Sequence, residues 1–282
     1  MNKEDIINYY QDCKKDYKLI WRLEKVWGIH FGYFEPGDKS LSGAILKMND
    51  QIIANANISK SSMVLDAGCG YAGTAMHIAN KKHCHIEAIT IVDEQVSTAN
   101  KIIKEKGLDK YINVTNQDFT KTNFKDNTFD VIYGIESICH AFNKKAFLKE
   151  AYRILKPGGK LLILDGFNSK EKDEYTAKEK EILKNFTNGW AVDSLASANF
   201  FINTSKELGF INQEYDNITD KTIKTSKILY LASFPAYIVD FFGRLFKKRT
   251  KYDKGNVIGA RYQYIGLKKH LWEYGFFRAI KK

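Results

Sequence analysis

Cysteine is scarce in this chain. Four occur, Cys13, Cys69, Cys84 and Cys139, scattered without framework spacing. That excludes a disulfide scaffold and fits free thiols in a reducing compartment. The opening stretch, MNKEDIINYYQDCKKDYK, lacks the apolar run of a secretory signal, so a cytoplasmic protein is expected. The most apolar segment, ILYLASFPAYIVDFFGRLF from Ile228 to Phe246, is interrupted by Pro235, Asp240 and Arg244. It therefore falls short of the ~20 uninterrupted residues of a membrane span. A cap over a pocket, or an amphipathic helix lying on a surface, is expected instead. No Gly-x-Ser-x-Gly elbow and no Gly-Lys-Ser/Thr phosphate loop supports a hydrolase or a kinase. His83, Cys84 and His85 alternate between strand faces with no second ligand pair at metal spacing, so no zinc site is expected.

The 282 residues suit one α/β domain with additions, with no internal repeat or low-complexity linker. The net charge of +11 is compatible with nucleic acid, an anionic membrane face, a phosphorylated substrate or simply a solvated lysine-rich surface. The one dense basic run, KKRTK, follows the apolar segment. Residues 228–251 are thus a candidate for peripheral contact with an anionic membrane. An aromatic content of 13% beside that charge raises base stacking, but no nucleic-acid recognition module is apparent.

Periodicity organises the chain. Residues 4–27 carry apolar side chains at three- and four-residue steps and predict a helix; Leu41 to Asn55 predicts a second. Short β-rich runs then alternate with helices: MVLDA, a helix from Thr74, HIEAITI, a helix from Asp93 to Lys106, YINVTNQ, FDVIYGI, a helix from Lys144 to Leu155, and KLLILDGF. That alternation predicts a doubly wound, mostly parallel sheet. LKPGG supplies the break before its last strand. Beyond Gly166 a polar helix SKEKDEYTAKEKEILKNF, a strand INQEYDNIT, a helix RYQYIGLKKHLWEY and a strand GFFRAI are expected, the last as an antiparallel partner completing the sheet. The organisation expected is a helical cap with an aromatic loop over 1–59, a cofactor-binding core over 60–168, and substrate-covering helices with the final strands over 169–282.

Gly68, Gly70 and Gly73 follow an apolar strand and open a helix, the setting in which a Gly-x-Gly-x-x-Gly turn binds a nucleotide. Asp66, two residues before the turn, would repel a diphosphate in a partly dry site and attract a cation. S-adenosylmethionine, with its sulfonium and ammonium, satisfies that preference better than a nicotinamide dinucleotide. Asp66 could equally tie down loop amides.

LDAGCGYAG, NQDFTKTNFKDNTFDVIYGIES and EAYRILKPGGKLLILDG resemble, in order over residues 60–166, the successive motifs of class I S-adenosylmethionine-dependent methyltransferases with a Rossmann-like fold. The resemblance implies cofactor contacts from the turn (Gly68, Cys69, Gly70), from Asp118 near the adenine amino group and from Phe119 beside the ring. The second strand ends in Thr90 where many members place a ribose-binding acid. AITIVDEQ is instead similar to the branch of sterol and tocopherol C-methyltransferases and cyclopropane-forming lipid enzymes, in which Thr90, Ile91 and Gln95 would meet the ribose. Asp93 is the rival ribose ligand, or an N-cap. GIESICHA and WGIHFGYF resemble further stretches of the same branch.

In that frame Glu136 is the candidate to stabilise positive charge and His140 the candidate proton acceptor. The alternatives are a hydrogen bond to the cofactor or to a loop amide for Glu136 and a helix cap for His140. His30 and Tyr33 are candidates to close over the methyl donor, or are plain packing. The expected function is methylation, at carbon, of a small and largely apolar lipid or isoprenoid-like acceptor. N- or O-methylation of a small metabolite, an RNA methyltransferase and a non-catalytic binding protein remain as alternatives.

Overall fold

The computed structural model describes every residue except Arg22, Lys247 and Lys248, and the side chain of Arg244, so the first two lysines of the basic run lie outside the described residues. Three short helices open the chain: α1 (Lys3–Asp12), α2 (Lys14–Ile20) and α3 (Leu23–Val26). The single helix expected over 4–27 is thus broken. The chain turns at Cys13 (φ −76°, ψ 0°), and α2 ends at Trp21. Tyr9, Cys13, Tyr17 and Trp21, four residues apart in turn, are all buried across these breaks. Then α4 (Leu41–Ala56), capped by the Ser40 side chain, buries Ala44, Ile45, Met48 and Ile52 on one stripe.

The alternating region follows: β1 (Met63–Ala67), α5 (Gly73–Lys82), β2 (His85–Thr90), α6 (Asp93–Glu105), β3 (Ile112–Asn116), β4 (Phe129–Ile135), α7 (Lys144–Ile154) and β5 (Leu155–Asn168). The helix α7 ends where LKPGG begins, as expected. The Pro-Gly stretch then joins β5 as an irregularity, with Phe129 opposite Leu155 but Val131 opposite Lys160. Past it come α8 (Ala177–Gly189), α9 (Ala198–Glu207), β6 (Phe210–Asn217), α10 (Thr219–Leu245), α11 (Lys251–Lys268) and β7 (Trp272–Lys281). The polar helix expected from Ser169 starts only at Ala177, because the Thr176–Glu179 capping box fixes its first turn there.

The seven strands lie in the order β3-β2-β1-β4-β5-β7-β6. All pairings through β5 are parallel, and β7 is antiparallel to both its neighbours. The final strand therefore inserts between β5 and β6 rather than closing an edge. Successive residues of the central strands feed opposite faces: Val64, Val131, Tyr133 and Leu164 enter one core cluster, Leu65, Ile132 and Ile163 the other. The chain order reverses between β1 and β4, which opens a crevice at the carboxyl ends of the strands. Among the described residues no helix is long and apolar enough to cross a membrane.

The helices α8 and α11 pack on one another through glycines. A Cβ on Gly259 would lie 2.4 Å from Cδ1 of Trp190, and one on Gly189 would lie 2.6 Å from the Gly255 carbonyl. Replacing Gly259→Ala should therefore push the helices apart and destabilise the fold by about 1–3 kcal/mol, read as a lowered denaturation midpoint.

Candidate functional site

The crevice holds a cavity of about 280 Å³ whose lining includes Asp66, the glycine turn, Thr90, Asp118 and Glu136. The turn depends on Gly68: at φ +92° a side chain is disfavoured, and a Cβ would sit 2.4 Å from that of Ser137. The Gly68 and Cys69 amides both donate to the Ile89 carbonyl at 2.9 Å, tying the turn to the end of β2. Gly70, Ile91 and Phe119 also line the cavity.

Asp66 is buried at the end of β1, and burial pushes its carboxyl up to about 7. It binds no loop amide; its partner is the Tyr133 hydroxyl, which donates at 2.8 Å from the neighbouring strand β4. Thr90 donates to Gln95 Oε1 at 2.7 Å and accepts from the Val92 amide at 3.3 Å. That pairing leaves the Gln95 amide nitrogen as the available donor. The rival, Asp93, is the first residue of α6 rather than its N-cap, which is Val92; it accepts from Asn116 and does not line the cavity.

Asp118 lines the cavity and is paired with the Lys3 ammonium from α1. Burial raises its carboxyl, but Lys3 and the Thr120 hydroxyl and amide outweigh that and hold it below the usual range. Three carboxyl groups thus line the cavity with one ammonium, Lys3, already engaged by Asp118. A cationic ligand is favoured because it draws the raised groups into their charged form, whereas a diphosphate would hold them protonated.

Glu136 follows β4 with φ +47°, a left-handed conformation that costs a non-glycine residue on the order of 1 kcal/mol and is a mark of functional sites. Its Oε1 accepts both the Phe31 amide (2.5 Å) and the Tyr274 hydroxyl (2.8 Å), which leaves Oε2 to the cavity. The expected loop-amide bond is real, and it fixes the carboxyl rather than consuming it. Enclosure pushes this group up to about 8, against those two donors, with Asp165 adding to the rise.

Behind Glu136 lies a second chamber of about 90 Å³. Tyr10, Ile29, Glu136 and His140 line both spaces. The inner one is walled by aromatic rings, among them Trp21, Phe31, Trp190, Trp272 and Tyr274, and two further carboxyls line it: Asp165, raised by burial, and Asp16, paired with Arg249. His140 does not cap α7, since Asn143 does. Its Nδ1 lies 2.9 Å from the Ala191 carbonyl, so that nitrogen carries the proton, and Nε2 accepts the Tyr10 hydroxyl at 2.9 Å. Burial lowers its basicity to about 4, so it stands neutral with its lone pair on Tyr10.

His30 is buried on the cavity wall, with Nδ1 3.0 Å from the Phe31 carbonyl and basicity likewise lowered by burial to about 4. Tyr33 corrects the expectation: it lines neither space, its amide bonds Ala44, and its ring lies 6.0 Å from the Lys221 ammonium. Sequence reasoning missed Lys3, Tyr10, Tyr133, Asp165 and Tyr274. Tyr133 and Asp165 lie within the quoted motif stretches without being singled out there, while Lys3, Tyr10 and Tyr274 lie outside them on elements far apart in the chain. Among the described residues no group of three His, Cys, Asp or Glu is placed to hold a metal ion.

Residues 65–163 match the family described as methyltransferase domain. A sterol 24-C-methyltransferase of Schizosaccharomyces pombe is 29% identical over 218 residues, covering 77% of this chain and 56% of that one. A norajmaline N-methyltransferase of Rauvolfia serpentina is 31% identical over 186 residues, covering 62% and 64%. The chain spans about half the length of the sterol methyltransferases it matches. A cyclopropane synthase from Mycobacterium tuberculosis superposes with a TM-score of 0.83 over 99% of this chain and 98% of that one, at 15% identity, a likeness of fold.

Glu136→Gln mimics the neutral acid. An unfolded Glu titrates near ~4.3, so the wild-type protein should lose stability as pH climbs from there to the folded value of about 8. The variant lacks that loss, and its melting midpoint should exceed wild type by more at pH ~8 than at pH ~5. Equal differences at both pH values would show that Glu136 is not raised.

Proposed function

We propose, from the match of residues 65–163 to the methyltransferase-domain family, that this chain is an S-adenosylmethionine-dependent methyltransferase acting at carbon on a small, largely apolar acceptor. The observation that carries it is the pair of adjacent spaces that share Tyr10, Ile29, Glu136 and His140 as lining: an acid-lined cavity at the glycine turn and an aromatic chamber. When bound, S-adenosylmethionine supplies a methyl group made electrophilic by its sulfonium. Asp66 would take the positive end of the ligand, Gln95 with Thr90 and Ile91 the ribose, and Asp118 with Phe119 the adenine. Lys3 must then yield its place at Asp118.

The chamber excludes water and aligns the acceptor carbon with the methyl, an orientation worth roughly 7–11 kcal/mol in well-placed systems. An alkene acceptor that gained the methyl would be left with a cationic carbon. The aromatic walls, Glu136 Oε2 and Asp165 stabilise that charge. A proton from the carbon beside the cation passes to the Tyr10 oxygen as the Tyr10 proton moves to His140 Nε2, and the C–H electrons restore the double bond. The Ala191 carbonyl holds the resulting imidazolium in place. A second reading, N-methylation, is favoured by the same aromatic and acidic walls, which also suit an ammonium.

S-adenosylhomocysteine at ~100 times its dissociation constant should stabilise the fold by about 2.7 kcal/mol. A shift given instead by a nicotinamide dinucleotide overturns the cofactor. Isotope-labelled methyl donor with a metabolite extract, read by mass spectrometry, identifies the atom methylated; label on nitrogen selects the second reading.

The raised carboxyls make a further prediction. Asp66 and Glu136, near about 7 and about 8 when the site is empty, should lose protons as a cation arrives. S-adenosylmethionine affinity should therefore rise with pH across that window, more steeply than for the sulfonium-free product. Calorimetry in buffers of different ionisation heat reads the released protons, and no release at pH ~7 counts against the assignment.

A further inference from the structure

The second half of α10 is built inside out. In a water-soluble fold a helix turns its large apolar side chains to the core and its small polar ones to solvent. Along α10 the buried residues are Thr222, Thr225, Ser226, Leu229, Ser233 and Asp240, which mark one face, and only Leu229 among them is a large hydrophobe. The solvent side carries Leu231, Phe234, Ile238, Phe241, Phe242 and Leu245, each between 45% and 68% exposed. The helix is anchored in this orientation. Thr225 Oγ1 accepts the Gly32 amide at 3.0 Å, Ser226 donates to Gln263, and Asp240 Oδ1 lies 3.3 Å from Arg249 Nε. Rolling the apolar stripe inward would break all three contacts.

Charge selects what covers the stripe. Asp240 is the only acid between Ile228 and Phe246, and it is buried. Lys227 is exposed before the stripe, Lys251 and Lys254 after it, and the sequence adds Lys247 and Lys248. An apolar strip edged by cations and free of outward acids complements acyl chains beneath anionic head groups. A second copy of a chain of net charge +11 would bring the same cations against it. Pro235 lies within the helix, and no described helix is apolar and long enough to cross a bilayer, so the contact lies in the plane of the surface.

We infer that the outward face of α10 docks this protein onto an anionic lipid bilayer, with Phe234, Ile238, Phe241, Phe242 and Leu245 among the acyl chains. The same helix lends Leu229 to the wall of the aromatic chamber. A bilayer-dissolved acceptor would thus meet the protein beside the chamber that receives it. That last consequence rests on the proposed reaction; the docking does not.

The test is sedimentation of the full chain with vesicles of phosphatidylcholine alone and of phosphatidylcholine mixed with phosphatidylglycerol. The wild type is compared with the triple variant Phe241→Ser, Phe242→Ser, Leu245→Ser and the double variant Lys251→Gln, Lys254→Gln. The substituted side chains are exposed, and melting midpoints confirm that each variant is folded. The wild type should partition about tenfold or more in favour of the mixed vesicles, with the triple variant losing about tenfold or more and the double variant a smaller factor. Wild type left in solution with mixed vesicles, or a triple variant that sediments like wild type, overturns the proposal. So does a wild-type dimer, seen by light scattering, that the triple variant renders monomeric, because the face then belongs to a second copy. The thermal shift with S-adenosylhomocysteine, read on the same samples, reports the cofactor cavity separately, so failure of docking and failure of the methyltransferase reading are distinguishable.

Discussion

Carboxyl groups enclosed where the sheet reverses its winding set the terms for the rest of this structure. Asp66 ends β1 and Glu136 follows β4, the two strands that flank the reversal, and neither has a cation of the protein beside it. Their partners are phenols and an amide: Tyr133 for Asp66, Tyr274 and the Phe31 amide for Glu136. Such donors make burial tolerable without neutralising the charge, so both groups sit raised toward neutrality. A site built this way gains most from a ligand that arrives already positive.

The surrounding elements maintain that condition. His30 and His140 face the same space and are kept neutral by burial, so they do not compete as cations. The Lys144 ammonium donates to the carbonyls of Cys139, Ala141 and Ser194 and lines neither space. A chain with net charge +11 therefore encloses an acidic interior. Overall charge describes its outer surface and says nothing of the pocket. The N-terminal helices close the space through polar contacts, Lys3 on Asp118, Lys14 on Glu94 and Tyr10 on His140. Contacts of that kind release at modest cost when a ligand must enter.

The aromatic chamber and the bare face of α10 answer to one another across a single helix. Inside, rings and acids line the chamber; outside, aromatic and aliphatic side chains stand exposed. Small polar residues occupy the inner face because α10 packs closely on α11, where Ser226 and Gln263 interlock. Large residues would hold those two helices apart. The apolar mass is thereby displaced to the surface.

Local physics made much of this legible in advance. The period-two and period-3.6 patterns, the glycine turn and the Pro-Gly break are properties of neighbouring residues, so the strand and helix order from Met63 to Asn168 follows from them. The cofactor-side residues Asp66, Gly68, Thr90, Gln95 and Asp118 lie within or beside those motifs and all line one cavity. The pairings across the chain were decided by packing alone. The bonds of Tyr133 to Asp66, Tyr274 to Glu136 and Tyr10 to His140 join residues 67, 138 and 130 positions apart, distances over which no periodicity carries information. The same holds for the break of the first helix at Cys13, the insertion of β7 between β5 and β6, and the turning of Tyr33 away from the site. Which elements meet was written in local pattern; which atoms meet, and hence whether a carboxyl is charged, was settled only when the chain closed around them.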